Sequence, residues 1–201
     1  MKPIRAAACF CMAVLLAGCA STDNDHFYTL NGAAAAAAAT PATAAPSGQV
    51  YIEMLAVNVP AQVKRKELVV SKGTGQIDML EHHRWIGPLA DEIGHALSQQ
   101  VSAELGAIDV YRTPYPAGAA PYRISTNVQR FESVPGEYAL IDATWSVRRV
   151  GSETVLTCRS VLREPVGQGY EALVAGHRAA LARLGSAIAA AVRKGGTGGN
   201  C

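Results

Sequence analysis

The sequence predicts a single α+β domain, with a mostly antiparallel sheet and two amphipathic helices packed on one face of that sheet. Two observations lead to this fold class. Several segments alternate apolar and polar residues, which is typical of strands with one buried face, and two longer segments repeat apolar residues at helical spacing. Because the segments follow in the order strands, helix, strands, helix, both helices are expected on the same side of the sheet.

The N-terminus carries an export signal. Residues 1–18 combine a short positive start with an apolar run too short to span a bilayer, and small residues then lead directly to Cys19. This end resembles the lipobox of bacterial lipoproteins, which implies cleavage between Gly18 and Cys19 and attachment of a diacylglycerol and an N-acyl chain to Cys19. Several acyl chains together hold a protein firmly on a membrane. An aspartate directly after this cysteine would resemble the inner-membrane retention signal of enteric bacteria. Because no aspartate follows Cys19, the predicted location is the periplasmic face of the outer membrane.

The chain after Cys19 leaves one geometric question open. Residues 19–26 are predicted to form a lipidated tether, and residues 31–48, nearly all Ala, Thr, Pro and Ser, a flexible loop within a domain spanning residues 27–194. Between the tether and the loop, residues 27–30 favour a strand. If these residues pair with the sheet, the domain sits against the membrane. If they are free, it floats further away.

The first strands of the domain are short. Residues 50–59 alternate as a strand that Pro60 ends. Residues 68–71 and 76–80 flank a glycine-rich segment, which predicts a hairpin.

The first helix is predicted from apolar residues that recur at every fourth position from Trp85 to Leu105. Gly87 and Pro88 suit its start, and Gly106 suits its end. Its opposite face carries polar side chains, namely Asp91, Glu92, Gln99 and Glu104.

The second half of the domain predicts three long strands and a helix. Residues 122–132, 138–147 and 153–163 alternate and are separated by turn residues, which indicates an antiparallel meander. Residues 170–194 carry the stripe of the second helix, and the glycine-rich tail 195–201 is expected to be disordered.

The cysteine pattern does not indicate a disulfide framework. Apart from the signal peptide and Cys19, the chain has only Cys158 and Cys201. Cys158 lies in a predicted strand and is expected to be a small buried apolar residue. A bridge to Cys201 in an oxidising compartment is the less favoured alternative.

Charge and motifs exclude several functions. Of 18 basic residues, Lys2 and Arg5 belong to the signal peptide, which leaves 18 − 2 = 16 basic against 16 acidic residues. A neutral chain without a basic stripe is not expected to bind nucleic acid. No G-x-S-x-G motif is present, the carboxylates are scattered, and the adjacent His82 and His83 point to opposite sides of a strand. We therefore expect neither an enzyme nor a metal site, and no cofactor beyond the acyl chains.

Several short motifs together resemble one family. They are the lipobox, Phe27-Tyr28-Thr29-Leu30, Val57 with Pro60, Leu68-Val69-Val70, His83-Arg84-Trp85 with Pro88-Leu89, Arg130-Phe131-Glu132 and Ala143-Thr144-Trp145. In this order they resemble the ABC-type transport auxiliary lipoprotein family, the PqiC-like proteins. The alanine-rich insertion after Leu30 is longer than the family pattern.

The resemblance implies a non-enzymatic docking role. Members of the family are outer-membrane lipoproteins that work with MCE-domain proteins and an ABC permease and ATPase, moving lipids or other hydrophobic compounds between membranes. A homo-oligomeric ring is also implied. Candidate partner contacts are Tyr28, Arg84 and Trp85, although Trp85 is more simply explained as a core residue of the helix. The alternative functions are a lipoprotein activator or assembly factor of envelope machinery, and a periplasmic carrier of hydrophobic ligands.

Overall fold

The computed structural model describes residues 24–32, 48–73, 75–197 and 201. Cys19, the segment before it and most of the alanine-rich loop lie outside the described residues. The strands are β1 (His26–Tyr28), β2 (Tyr51–Met54), β3 (Glu67–Ser71), β4 (Ile77–Trp85), β5 (Ile108–Asp109), β6 (Tyr122–Val134), β7 (Tyr138–Arg149) and β8 (Leu156–Pro165). The helices are α1 (Leu89–Leu105), α2 (Tyr170–Arg193) and a short 3-10 turn (Ala61–Val63).

The larger sheet has five strands in the order β5-β2-β6-β7-β8. The strands β6, β7 and β8 form the predicted antiparallel meander. Two of its turns contain Gly136 and Gly151, whose φ values of 75° and 85° favour glycine. The strand β2 instead runs parallel to both β5 and β6. The sheet is therefore mixed, and its parallel part joins segments that are distant in sequence.

The smaller sheet has three strands in the order β1-β4-β3. The strands β3 and β4 form the predicted hairpin, and β1 runs parallel to the last residues of β4. A register shift interrupts the hairpin, because Glu67 lies opposite Arg84 whereas Leu68 lies opposite Leu80. The extra residues on β4 form an irregularity that separates its hairpin half from the half that pairs with β1.

Both helices cover the same face of the larger sheet, as predicted. The buried residues of α2 form the stripe expected from the sequence, and α2 packs on α1 and on β7 and β8. The helices approach closely at Gly185, where a Cβ atom would lie 2.5 Å from the Cγ atom of Gln100. The core between helices and sheet is fully enclosed at Ile93, Leu97 and Ile188. Burying each such side chain stabilises the fold by about 1.5–3 kcal/mol.

The sequence-based boundaries need two corrections at the start of α1. Trp85 does not begin this helix, because it is the last residue of β4, and its backbone N–H donates to the carbonyl of Lys66 at 2.7 Å. Pro88 is the N-cap rather than the first helical residue, with an extended ψ of 130°. The end of the helix is as predicted, since Gly106 adopts the left-handed conformation.

The expectation of an unpaired Cys158 is wrong. Cys158 is buried in β8 as predicted, but it forms a disulfide with Cys201, with 5.8 Å between their Cα atoms. The bridge links the C-terminal residue to the larger sheet across a sequence separation of 43 residues. Two cysteines so far apart carry no spacing signal, which is why the sequence favoured the simpler interpretation.

The described residues contain no helix that could span a membrane. Neither α1 nor α2 is long and apolar enough to cross a bilayer.

Candidate functional site

The N-terminal strand is part of the folded domain. In β1, His26 lies opposite His83, Phe27 opposite Arg84 and Tyr28 opposite Trp85. The ladder continues beyond β4, where the backbone N–H of Ile86 donates to the carbonyl of Tyr28 at 2.8 Å. The open question of whether residues 27–30 pair with the sheet is thereby answered, and the segment that can act as a tether ends before His26.

A buried carboxylate fixes the residues that follow β1. Glu92, in the first turn of α1, is only 6% exposed. Its Oε2 atom accepts hydrogen bonds from the Thr29 hydroxyl at 2.6 Å, the Leu30 backbone N–H at 2.8 Å and the Asn31 side-chain amide at 3.3 Å. Several donors on one carboxylate compensate the cost of burying its charge. The polar face predicted for this helix is therefore not uniformly solvated.

The second helix holds the same segment from another side. The guanidinium of Arg178, on α2, donates from Nε at 3.1 Å and from a terminal nitrogen at 2.6 Å to the carbonyl oxygen of Thr29. We call Thr29, Leu30, Asn31, Glu92 and Arg178 the N-terminal clamp. Since an anionic and a cationic side chain bind adjacent backbone groups, the clamp connects the N-terminal strand to both helices.

A cluster of aromatic rings lies beside the clamp. The ring of His83 stacks on His26 at a centroid distance of 4.9 Å, contacts Tyr170 at 4.4 Å, and places Nδ1 2.9 Å from the Tyr28 hydroxyl. Burial, and then the neighbouring imidazoles of His26 and His82, lower the pKa of His83. The His83 ring is therefore neutral at neutral pH, and it contributes packing and a hydrogen bond rather than charge.

The pKa of Tyr28 is raised. Burial is the main cause, followed by the charges of Glu171 and Tyr170. The phenol therefore keeps its proton at neutral pH, so that its hydroxyl can take part in the contact with His83.

The three predicted partner residues have different surroundings. Arg84 is partly exposed, donates from Nε to the Glu81 carbonyl at 2.7 Å, and lies 3.5 Å from the Asp25 carboxylate. Tyr28 is partly buried in the aromatic cluster. Trp85 is only 3% exposed and meets Phe131 edge-on at 6.1 Å, so its ring belongs to the core, as the simpler interpretation held.

The sequence did not predict a buried contact between Ser133 and His177. The Ser133 hydroxyl lies 2.8 Å from Nε2 of His177, and the His177 ring stacks on Phe131 at 3.9 Å. Such a pair could suggest a nucleophile and a base, but Ser133 and His177 are 3% and 0% exposed. Burial lowers the pKa of His177 to about 3. A substrate has no access to this pair, and we assign it to the core.

The other side of the larger sheet is a polar surface. The guanidinium of Arg159 binds both carboxylate oxygens of Asp142 at 2.9 and 2.7 Å, and this pairing lowers the pKa of Asp142. The guanidinium of Arg163 lies 3.9 Å from the centre of the Tyr138 ring. Arginine and tyrosine at such positions are typical of protein interfaces.

A surface groove of about 370 Å³ lies beside α1. It is lined in part by Asp91, His95, Asp109 and Arg112. One oxygen of Asp109 accepts from the Ser98 hydroxyl at 2.5 Å, and the other from the Met54 backbone N–H at 3.3 Å. Apolar side chains, among them Leu55 and Val57, complete its lining, so the groove combines charged and apolar surface.

Metal ligands are not grouped in the described part of the chain. No set of three or more His, Cys, Asp or Glu side chains is positioned there to hold a metal ion. His82 and His83, the pair noted in the sequence, are engaged with Asp25 and Tyr28 respectively.

Comparisons with known proteins agree with this fold. A crystal structure of an uncharacterized protein superposes with a TM-score of 0.66 at 17% identity, covering 84% of this chain and 99% of the other. A Xanthomonas campestris protein of the DUF330 family superposes with a TM-score of 0.56 at 16% identity, covering 73% and 85%. No curated protein matches the sequence.

The fold and site define a one-domain α+β protein whose N-terminal strand is clamped to both helices. The sequence assigns this domain to a family, since a family model matches residues 28–189. The chain belongs to the family of ABC-type transport auxiliary lipoprotein components. The match begins at Tyr28, within β1, and ends near the end of α2.

Proposed function

We propose that this chain is the outer-membrane docking component of an MCE–ABC transport system that moves lipids or other hydrophobic compounds between membranes. In this role Cys19 carries the acyl chains, and the folded domain receives the periplasmic end of an MCE-domain protein. Family membership supports the link to an ABC-type transporter. The MCE partner comes from the resemblance of the sequence motifs.

The observation that carries the proposal is the incorporation of β1 into the domain. His26 lies only seven positions after Cys19 (26 − 19 = 7), and seven positions span at most about 25 Å. The domain is thus kept close to its attachment point, and the N-terminal clamp keeps the first strand from lengthening the tether. A receptor held at a defined distance from a membrane suits docking of a partner that bridges two membranes.

Crosslinking from defined surface positions tests the partner. A photoreactive amino acid replaces Arg163, on the polar surface of the larger sheet, or Tyr115, an exposed aromatic residue in the loop before β6 that serves as the control. An MCE-domain protein captured in cells from position 163 but not from position 115 supports the proposal. Capture of a cell-wall synthase instead would favour the alternative of an activator of envelope machinery. Capture of no envelope protein from either position would contradict docking.

Membrane attachment has its own test. Cells that express the wild type or Cys19→Ala are labelled with radioactive palmitate and fractionated. The proposal expects label on the wild type alone, and loss of the Cys19→Ala variant from the outer-membrane fraction. An unlabelled wild type, or a variant that still sediments with that fraction, would contradict the anchor.

A further inference from the structure

The three-stranded sheet has one face turned away from the core. In β3, Leu68 and Val70 are buried, whereas Glu67, Val69 and Ser71 point outward and are partly exposed. The register pairs these outward residues with Arg84, Met79 and Ile77 on β4, and Arg84 with Phe27 on β1. Paired residues share a face of a sheet. We call this surface, with Ile86 at its end, the outer face of the smaller sheet.

The outer face is unusually apolar for an exposed surface. Among the described residues, nine large apolar side chains are classed as exposed, and four of these belong to the outer face. Their exposed fractions are 58% for Phe27, 52% for Ile77, 53% for Met79 and 60% for Ile86. Single exposed apolar residues are ordinary, but several on one small surface mark an interaction site.

Basic residues border this apolar surface. Lys64, Arg65 and Lys66 are consecutive and exposed, and a terminal nitrogen of Arg65 lies 2.7 Å from the Met79 sulfur. No ion pair joins these three residues to an acidic group within the part of the chain that the structure describes. They are therefore available to an anionic partner.

Three acidic groups lie on this surface, and two of them are beside Arg84. Glu67 lies opposite Arg84 in the register, and the Asp25 carboxylate lies 3.5 Å from the guanidinium of the same arginine. Glu81 is exposed in the irregular part of β4. Apolar side chains bordered by basic ones are typical of surfaces that lie in a membrane interface and contact anionic lipid.

The closeness of the smaller sheet to Cys19 favours a lipid bilayer as the partner of its outer face. The strand β1 is an edge of the smaller sheet, and it begins seven residues after Cys19. Since that distance is at most about 25 Å, the outer face is within reach of the bilayer that holds the acyl chains. The face extends from Arg84 to Ile77, seven positions along β4, which is roughly 20 Å of strand and enough to lie along a membrane surface.

We propose that the outer face of the smaller sheet lies on the bilayer, with Phe27, Ile77, Met79 and Ile86 in contact with lipid and Lys64, Arg65 and Lys66 binding anionic headgroups. This inference rests on the acylation of Cys19 in the proposed function. The acyl chains attach the protein, and the outer face sets the orientation of the domain on the membrane. The polar surface of the larger sheet is then left to a protein partner.

A depth measurement on the full acylated protein tests this orientation. The variants Met79→Cys and Val161→Cys each add one free thiol, since Cys158 and Cys201 are bonded and Cys19 is acylated. Val161, on β8, is the matched control, because it is 54% exposed against 53% for Met79. Each thiol carries an environment-sensitive fluorophore, and each protein is reconstituted in phosphatidylethanolamine–phosphatidylglycerol vesicles with lipids spin-labelled near the headgroup.

The expected result is severalfold stronger quenching by the spin-labelled lipid at position 79 than at position 161. Replacing Lys64, Arg65 and Lys66 together by glutamate should reduce the quenching at position 79 without releasing the protein from the vesicles. Equal quenching at the two positions, or none at position 79, in protein that floats with the vesicles would overturn the proposed orientation while leaving the anchor intact. Protein that does not float would overturn the anchor itself.

The same probe separates lipid from a second copy of the chain. If the fluorophore at position 79 is shielded from aqueous iodide to the same extent in detergent as in vesicles, and this shielding depends on protein concentration, another copy covers the outer face. That result would also overturn the lipid contact.

Discussion

The carboxylate of Glu92 accepts a 2.8 Å hydrogen bond from the backbone N–H of Leu30, a residue 62 positions earlier in the chain. Both residues are buried, at 6% and 3% exposure. The contact joins the first turn of α1 to the segment that leaves β1. It therefore links the end of the chain nearest to the predicted lipid anchor to the centre of the fold.

Replacing Glu92 by alanine should destabilise the protein by about 1–3 kcal/mol, because buried donors lose their acceptor. Glu92→Gln should cost less, since an amide oxygen still accepts one of the hydrogen bonds. The measurement is the free energy of unfolding in urea. Asp91→Ala is the control, because Asp91 is exposed in the same turn. Equal effects of Asp91→Ala and Glu92→Ala would contradict a specific role for Glu92.

Replacing Arg178 by leucine should loosen the N-terminal segment. The variant removes both hydrogen bonds to the Thr29 carbonyl, while the remaining pairs of β1 with β4 persist. Amide exchange of residues 26–31 should accelerate more than exchange in β7, as measured by mass spectrometry. The control is Arg183→Leu on the same helix, which removes an exposed ion pair with Glu164 of β8. This variant should leave exchange in residues 26–31 unchanged.

His177 should make stability depend on pH. Its pKa is about 3 in the folded protein and about 6.5 in the unfolded chain, so the unfolded state binds more protons between these values. Stability from this residue is complete above about pH 6.5 and falls by up to about 1.4 kcal/mol for each pH unit below it, until about pH 3. Urea unfolding at several pH values measures the slope.

A variant assigns this slope to His177. His177→Gln should be less stable at pH 7 but should show a shallower decline on acidification. Gln99→Ala, which replaces an exposed residue of α1 without an ionisable group, is the control for the effect of substitution itself. A slope that is identical in the wild type and in His177→Gln would show that other groups cause it.

Reduction of the disulfide should destabilise the protein. A loop closed across 43 residues restricts the unfolded chain enough to contribute about 4 kcal/mol on the chain-entropy estimate. Thermal unfolding with and without dithiothreitol measures the effect. The reductant should not alter the melting temperature of Cys201→Ser, in which the bond is already absent. Two free thiols in the untreated mature protein would contradict the bridge between Cys158 and Cys201.

Two neighbouring residues at the end of β4 should differ in their effect on stability. Trp85→Ala should cost about 3–5 kcal/mol, because it empties a buried site beside Phe131. Arg84→Ala should change stability by less than about 0.5 kcal/mol, since Arg84 makes partly exposed contacts. Urea unfolding of both variants measures the difference. Strong destabilisation by Arg84→Ala would identify Arg84 as a structural residue instead.

The sequence predicted those parts of the fold whose signal is local. The stripe of α2, the meander of β6, β7 and β8, and the glycine that ends α1 all depend on residues within one or two turns or strands. The fold class followed from these elements, and the structure confirms it with two mixed sheets in place of one mostly antiparallel sheet. The family resemblance is likewise confirmed by the match over residues 28–189.

The missed features are non-local. Parallel pairing of β1 with β4, and of β2 with β5 and β6, joins segments without a hairpin turn, so nothing in the adjacent sequence reports it. Glu92 was placed on a polar helix face, and only the tertiary fold brings the Leu30 amide to it. Trp85 is buried as predicted, but it belongs to β4 rather than to α1. An apolar residue between a strand and a helix fits the pattern of either element.

The parallel pairing of β1 with β4 also determines how the domain responds to force. A pull on the chain before His26 that is directed along β1 acts across the direction of its hydrogen bonds, so these bonds are loaded together in shear rather than opened one at a time. Beyond β1, Thr29 and Leu30 pass the load to α2 and α1. A load that enters at β1 is thereby shared with both helices.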